Sequence, residues 1–374
     1  MIKVPISGQL TGQSEIDNVM QVANSQHYGG GVFTDRFERG FAQYMGARHA
    51  VLCNSGSSAL LLALSALEMP KGSRVLTPAV GFPTTVNAII QRGCIPVFVD
   101  SDPKTLNIKP VEIDNNIRAV VAAHTLGNPV DFGFVPHGIP IIEDACDAIG
   151  STIHGKMVGR VGVMSTASFY PAHHITMGEG GAVMTDSPKL KKIIESFRDW
   201  GRDCWCAPGE DNTCGARFNN DYDHKYTYSR IGYNLKASDF QAAVGVAQLE
   251  RLEGFVKKRK DNWDFLRENL MDLPIQLVEA TKESSPSWFG FAFLTDRRNE
   301  LARYLDVHGV GNRPIMGGNL TRQPAYRSTE YQVLGTLDGA NKIHECGIWL
   351  GVFPGITPDM RDYQIEIMRK FYGH

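Results

Sequence analysis

No uninterrupted apolar run in this sequence approaches the roughly 20 residues that a membrane-spanning helix needs. The first fifteen residues, MIKVPISGQLTGQSE, likewise lack the apolar core of a secretory signal. No membrane association is therefore expected, and a cytoplasmic location is. A pronounced charge of either sign is missing too. The 38 Lys and Arg against 40 Asp and Glu leave a formal net charge of -2, which argues against a nucleic-acid partner. The one dense basic stretch, Lys257-Lys258-Arg259-Lys260, reads as the solvated face of a helix. Cysteine is sparse, at seven residues, and in a reducing compartment none is expected in a disulfide. Any cluster of cysteines then requires core packing, metal ligation or reactivity as its explanation. Internal repeats and low-complexity segments are absent as well, which excludes a solenoid or a linker protein.

What is present is ample material for a core. A chain of 374 residues that is 43% hydrophobic can build one large domain and a smaller one. Residues 1 to 48 hold a polar helix pattern, a turn at His27-Tyr28-Gly29-Gly30-Gly31 and a second helix-like run from Asp35 to Tyr44. From Ala50 onward, short apolar runs alternate with helical periodicity, the pattern of a parallel sheet covered on both faces. The predicted strands are Ala50 to Cys53, Arg74 to Pro78, Ile95 to Val99, Ala119 to Ala122, Ile139 to Glu143, Ser165 to Phe169 and Ala182 to Met184; Ser57 to Leu67 and Thr84 to Gln91 read as helices. In such sheets ligands gather at the carboxyl ends of the strands. Trp200 to Tyr233 shows no periodicity, and a loop of that length inside a compact domain is usually functional. A long helix is expected from Ala237 to Leu270, and Pro274 then marks a boundary between domains 1–270 and 271–374. In the second domain, Trp288 to Leu294 reads as a strand and Arg298 to His308 and Tyr363 to Tyr372 as helices.

Three stretches carry chemistry. Asn54-Ser55-Gly56-Ser57-Ser58-Ala59 follows a strand and opens a helix, which places amides and hydroxyls at a positive helix terminus; it is a phosphate cradle or an ordinary capped start. Cys204, Cys206 and Cys214 form C-x-C-x7-C, with Cys146 lying 57 intervening residues upstream of Cys204; four thiolates hold zinc or an iron-sulfur cluster. Cys53, Cys94 and Cys346 sit in apolar surroundings and read as core. Third, Ser168 to Val183 reads SFYPAHHITMGEGGAV, a Gly-rich loop with two adjacent histidines.

The third stretch resembles the cofactor-lysine segment of the DegT/DnrJ/EryC1/StrS sugar aminotransferases, whose usual form is SF-x-P-x-K-N-[IL]-T-T-G-E-G-G. Ser168, Pro171, Thr176 and Gly178-Glu179-Gly180-Gly181 fit, but His173 stands in place of the lysine and His174 in place of the asparagine. The resemblance extends over nearly the whole chain. It implies an α/β protein of the aspartate aminotransferase-like fold (fold type I of the pyridoxal phosphate, PLP, enzymes), with a mostly parallel central sheet and a smaller C-terminal α+β domain. It also implies cofactor contacts: Gly56, Ser57 and Ser168 at the phosphate, Phe82 stacked on the ring, Asp144 at the ring nitrogen, and Asn234 reaching the phosphate of a neighbouring subunit in a homodimer. Asp147 stands where many relatives carry Gln or His near the ring.

A lysine can bind PLP as a Schiff base, whereas an imidazole, with an ordinary pKa of about 6.5, can only move protons. His173 is therefore expected to act as a base on cofactor held non-covalently as pyridoxamine phosphate (PMP). The His-for-Lys change and the cysteine spacing together resemble one subgroup, the CDP-4-keto-6-deoxyglucose 3-dehydratases of 3,6-dideoxyhexose and lipopolysaccharide O-antigen synthesis. These carry a 2Fe-2S cluster, here matched by Cys146, Cys204, Cys206 and Cys214. The implied substrate is a CDP- or TDP-linked 4-keto-6-deoxyhexose. Exchanging C3-OH for C3-H takes two electrons, so an NAD(P)H-dependent reductase is implied as partner. Two other readings remain: a glutamate-coupled PMP dehydratase without a cluster, and a non-catalytic nucleotide-sugar-binding protein of the same fold. The first lacks a use for the four cysteines; the second predicts decay of Gly56, Ser57, Asp144 and Ser168, all of which are retained.

Overall fold

The computed structural model describes residues 2–206, 211–217 and 222–373. Helices α1 (Gln13–Ser25) and α2 (Val32–Met45) lead into β1 (His49–Cys53), α3 (Gly56–Ala66), β2 (Arg74–Pro78), α4 (Pro83–Gln91), β3 (Ile95–Val99), β4 (Ile117–Ala123) and β5 (Ile141–Asp144). A short hairpin, β6 (Thr152–Ile153) and β7 (Lys156–Met157), precedes β8 (Met164–Ser168), β9 (Gly181–Thr185) and α5 (Pro188–Arg198). The helix starts are chemically marked. Ser55 accepts a hydrogen bond from Ser58 N at the head of α3, Pro83 occupies the first turn of α4, and Ser187 with Pro188 opens α5.

The large sheet runs β1-β9-β8-β5-β4-β2-β3-β14. All its pairings are parallel except those of β9, which is antiparallel to both β1 and β8. The exception has a local cause. Every other link between neighbouring strands here passes through a helix or a long connection, whereas β8 turns back through residues 169–180, closed by Phe169 N donating to Gly180 O at 2.9 Å. The two-histidine stretch is thus the loop of a hairpin inside an otherwise parallel sheet, opening at the same edge as the carboxyl ends of β2, β4 and β5. The seven predicted strands are all present, with ends moved by a residue or two.

Helix α6 (Asp239–Leu270) is 32 residues long and follows the predicted span closely. Its buried stripe, Leu252, Phe255, Val256, Arg259, Trp263, Leu266 and Leu270, repeats at helical spacing. Beyond it come β10 (Gln276–Leu277), β11 (Ser284–Ser285), β12 (Gly290–Leu294), α7 (Arg298–Val307), β13 (Asn312–Pro314), β14 (Gln332–Leu334), α8 (Asp338–Cys346), β15 (Gly347–Gly351) and α9 (Pro358–Tyr372). Strands β10-β12-β15-β13 make an antiparallel sheet of their own, while β14 adds to the edge of the large sheet beside β3. One apolar cluster joins the two regions, with Trp263 of α6 stacked on Trp288 at 4.3 Å. The N-terminal segment also ties in, through a bridge from Val4 to Val310. No described helix is long and apolar enough to cross a membrane.

The expectation for Lys257 to Lys260 needs correction. Arg259 is only 1% exposed, because position 259 falls on the apolar stripe of α6; the three lysines beside it face outward or lie partly covered. Of the long loop expected from Trp200 to Tyr233, residues 207–210 and 218–221 lie outside the described residues. The rest has no strand and one short turn of helix at His224–Tyr226.

Candidate active site

The cradle forms where α3 meets β8 and β9. Gly56 and Ser57 are the first residues of α3, so their amides have no partner within the helix and point at its positive end. A Cβ on Gly56 would stand 2.6 Å from Ser168 Cβ, 3.0 Å from Ser168 Oγ and 3.2 Å from Cys146 Sγ. Only glycine lets the helix start approach the serine this closely. Gly181, the last glycine of the GEGG run, is equally constrained, since a Cβ there would lie 2.2 Å from Ser55 O. Two segments more than a hundred residues apart in sequence thus converge on one small concavity with an exposed Ser57 at its rim. That arrangement fits a phosphate group.

Asp144 ends β5 and is 5% exposed. Its Oδ2 accepts a hydrogen bond from Thr85 Oγ1 at 2.7 Å, and its Oδ1 accepts a longer one from Cys146 N at 3.3 Å. Thr85 lies in the first turn of α4, three residues after Phe82, so the helix brings Phe82 and the carboxylate's partner to one face. Phe82, at the start of α4, is 56% exposed, so its ring is not packed in the core. A buried carboxylate with one oxygen weakly bonded is suited to a protonated heteroaromatic nitrogen. The neighbouring Glu143 points to the other face of the sheet, as strand alternation requires. It accepts from Gly159 N at 2.8 Å, Val161 N at 2.7 Å and Gly162 N at 2.6 Å, and pairs with His124 at 3.2 Å. Burial alone would push its pKa up, but those donors hold it below the ordinary range.

The two histidines separate sharply. His174 is buried, and its Nε2 donates to Ser287 O at 2.9 Å. Burial foremost, and the charge of Arg259 after it, keep its pKa well below the ordinary value, so it is a neutral structural group. His173 stands at the edge of the cleft. Its Nδ1 lies 3.2 Å from Tyr170 O. Nε2 faces Asp147 Oδ1 at 3.5 Å, so Asp147 meets the imidazole. Phe289 packs on the ring at 5.5 Å. The backbone is fastened from behind: Arg259 donates to Ala172 O at 3.2 Å, His173 O at 3.0 Å and Phe289 O at 3.2 Å. Residues 8–10 of the N-terminal segment share a small cavity with Pro171 and His173.

Thr85 and Arg259 are the positions around the candidate site that sequence reasoning missed. Thr85 carries no signal in a sequence. Arg259 does, because the spacing from Leu252 through Leu270 puts it on the buried stripe, where a charged residue needs a reason.

Among the described residues, the thiols of Cys204, Cys206 and Cys214 gather with all three sulfurs within 4.8 Å of one another. Cys214 N donates to Cys206 Sγ at 3.4 Å. Hydrogen bonding from Thr213, foremost, holds the Cys206 pKa down at about 6, whereas burial and the adjacent Cys206 push Cys204 up to about 11. Three adjacent thiols with one favoured as thiolate are suited to metal ligation. Cys146 is not in that group. It lies in the cofactor cradle beside Gly56 and Ser168, where burial and the carboxylates of Asp144 and Asp147 push its thiol well up. Cys53 and Cys94 are buried core residues, and Cys346 is partly covered at the edge of the core. Asn234 is exposed, and its neighbour Leu235 accepts from Asn54 N at 2.8 Å, which seats this end of the loop beside the cradle.

Similar proteins share this architecture over nearly its full length. The lipopolysaccharide biosynthesis protein RfbH of Salmonella typhimurium is 46% identical over 401 residues, covering 99% of this chain and 92% of that protein. A dTDP-4-dehydro-2,6-dideoxy-D-glucose 3-dehydratase of Saccharopolyspora spinosa is 46% identical over 366 residues, covering 90% of this chain and 79% of that one. Among solved structures, the E. coli GDP-4-keto-6-deoxy-D-mannose-3-dehydratase with bound hydrated PLP superposes with a TM-score of 0.90 at 28% identity, covering 98% of this chain and 99% of that one. The fold is accordingly fold type I of the PLP enzymes. A family model matches residues 9–369, and the chain belongs to the DegT/DnrJ/EryC1/StrS aminotransferase family.

Proposed function

We propose that this chain is a nucleotide-sugar 3-dehydratase that works with PMP, removing the C3 hydroxyl of a nucleotide-linked 4-keto-6-deoxyhexose in deoxysugar biosynthesis. The observation that carries the reading is His173 at the lysine position, with Asp147 Oδ1 3.5 Å from its Nε2. Bound there, PMP would supply an amine for the sugar's C4 ketone and a ring able to take up the electron pair of a breaking C–H bond. The amides of Gly56 and Ser57, with Ser168 Oγ, hold the phosphate. Asp144, oriented by Thr85, keeps the ring nitrogen protonated, and Phe82 covers the ring. Nε2 of His173 takes the proton, the Asp147 carboxylate stabilises the imidazolium so formed, and the same nitrogen can return the proton to the departing hydroxyl. Arg259 holds the backbone of that base in place.

Completing the deoxygenation takes two electrons. The cysteine set would hold a 2Fe-2S cluster, which supplies electrons singly, with an NAD(P)H-dependent reductase as their source. Similarity to the dehydratases of S. spinosa and E. coli supports the C3 chemistry, and the thiol trio supports a metal centre.

The test uses protein purified anaerobically and offered CDP-, dTDP- and GDP-linked 4-keto-6-deoxyhexoses with PMP. Wild type should release the C3 hydroxyl, read as incorporation of labelled solvent oxygen, and His173→Asn should lose this while binding PMP as before. Undiminished exchange in His173→Asn would refute the assignment of the base. Iron and sulfide far below stoichiometry, with turnover sustained by glutamate, would replace the cluster reading by the glutamate-coupled one.

A further inference from the structure

The thiol trio and the fourth cysteine lie at opposite ends of α3. Cys146 stands at the N-terminal end, against Gly56. The described residues next to Cys204 are anchored toward the other end of that helix. There Arg230 pairs with Glu68, just past the last turn of α3, at 2.8 Å, and Asp203, the residue before Cys204, bonds to Ser229 and faces Arg230 at 3.9 Å. The residue after Cys204 points the same way: the Trp205 ring lies under Lys192 Nζ at 5.0 Å, on α5 well before its end at Arg198. An 11-residue helix is about 16 Å long. Thiolates that share one zinc ion at about 2.3 Å per bond lie only ~4 Å apart, and not much farther across two irons. The chain's own Cys146 is therefore out of reach of its own trio.

The loop that carries the trio also exposes several large aromatic and apolar side chains. Trp205 is 55% exposed, Tyr226 55%, Tyr228 49%, Tyr222 71% and Ile231 94%. Aromatic residues presented together on a loop mark a contact surface. Cys146, for its part, keeps some of its surface open in the cleft. Three thiols gathered on a loop with exposed aromatic residues, and a fourth thiol apart from them in the cradle beside Gly56, form a set that a second copy of the chain could complete.

We infer that the four-thiol centre is assembled across a two-fold dimer interface, from Cys204, Cys206 and Cys214 of one protomer and the partner subunit's Cys146. A two-fold contact makes the pairing reciprocal, giving two centres per dimer, each beside the other protomer's cofactor cradle. The inference rests on the reading of the trio as metal ligands, and the two can fail separately.

Two differently tagged chains, one Cys146→Ser and one Cys204→Ser, are co-expressed, and the hybrid dimer is isolated anaerobically through both tags. If the centre is shared, the hybrid holds one intact set and one doubly broken set, so its iron and labile sulfide recover to about half the wild-type level while both single-variant homodimers stay near background. A hybrid that stays near background, a Cys146→Ser homodimer with full iron, or failure of the two tags to co-purify would overturn the inference. Wild type without iron would instead remove the metal reading. In that case oxidation of the metal-free protein with diamide decides: a disulfide-linked dimer on non-reducing gels, lost in Cys146→Ser, supports the shared set, and its absence from wild type overturns it.

Discussion

Arg259 is buried without a counter-ion, and its replacement by methionine separates fold from function. Among the described residues no carboxylate lies within ion-pair distance of the guanidinium. Burial pushes its pKa down from the ordinary guanidinium range to about 10, with the charge of Asp147 acting in the opposite direction. That depression corresponds to about 3 kcal/mol of unfavourable charge burial. Arg259→Met removes this term and keeps most of the apolar volume, but it strips donors from the carbonyls of Ala172, His173 and Phe289. At about 1 to 1.5 kcal/mol per hydrogen bond, the loss is about 3 to 5 kcal/mol. The two contributions nearly cancel, so the net destabilisation should be about 0 to 2 kcal/mol, a fall in Tm of no more than about 3 °C for a chain of this size. Catalysis has no such compensation. Two of the three released carbonyls belong to the loop that aims His173, and a displacement of about 1 Å costs up to about 100-fold in rate. Thermal melts, PMP titration and kcat for C3-hydroxyl release should give near-native folding, unchanged PMP affinity and kcat lower by about 10- to 100-fold. A variant that melts as expected yet turns over at the wild-type rate refutes the positioning role. One that fails to fold refutes the cancellation.

Thr85→Val is nearly isosteric but leaves a buried oxygen of Asp144 without its 2.7 Å donor, and urea denaturation should show a loss of about 1 to 3 kcal/mol. Unchanged stability would mean that the hydroxyl is not the carboxylate's partner. His174 adds a pH dependence. Its folded pKa is held well below the ordinary 6.5, so the unfolded chain binds a proton that the folded chain refuses, and stability falls as pH drops below about 6.5. Between pH 7.5 and 5.5 this one group should remove about 1.4 kcal/mol, a loss that His174→Asn lacks; equal losses in both proteins would show that the imidazole titrates freely when folded.

Much of this organisation is written locally in the chain. Apolar runs spaced for strands, Ser and Pro at helix starts, and a helix opening at Gly56 follow from backbone geometry and are legible in any window of about ten residues. The His-for-Lys replacement in SFYPAHHITMGEGG announces the type of chemistry because the residue types alone limit it to proton transfer. The buried stripe of α6 was legible too, and it contradicts the solvated-face reading of Arg259. Other features were decided only by the packed structure. The reversal of β9 depends on how residues 169–180 close, and β14, three residues long, carries no periodicity to detect. Thr85 reaches Asp144 across 59 positions because the first turn of α4 and the end of β5 meet at the same edge of the sheet, and the adjacent histidines differ because His174 is buried against Ser287 while His173 meets Asp147. Four cysteines evenly legible as a set are divided by the length of α3, since sequence spacing records the number of residues between ligands and not the helix that comes to stand between them.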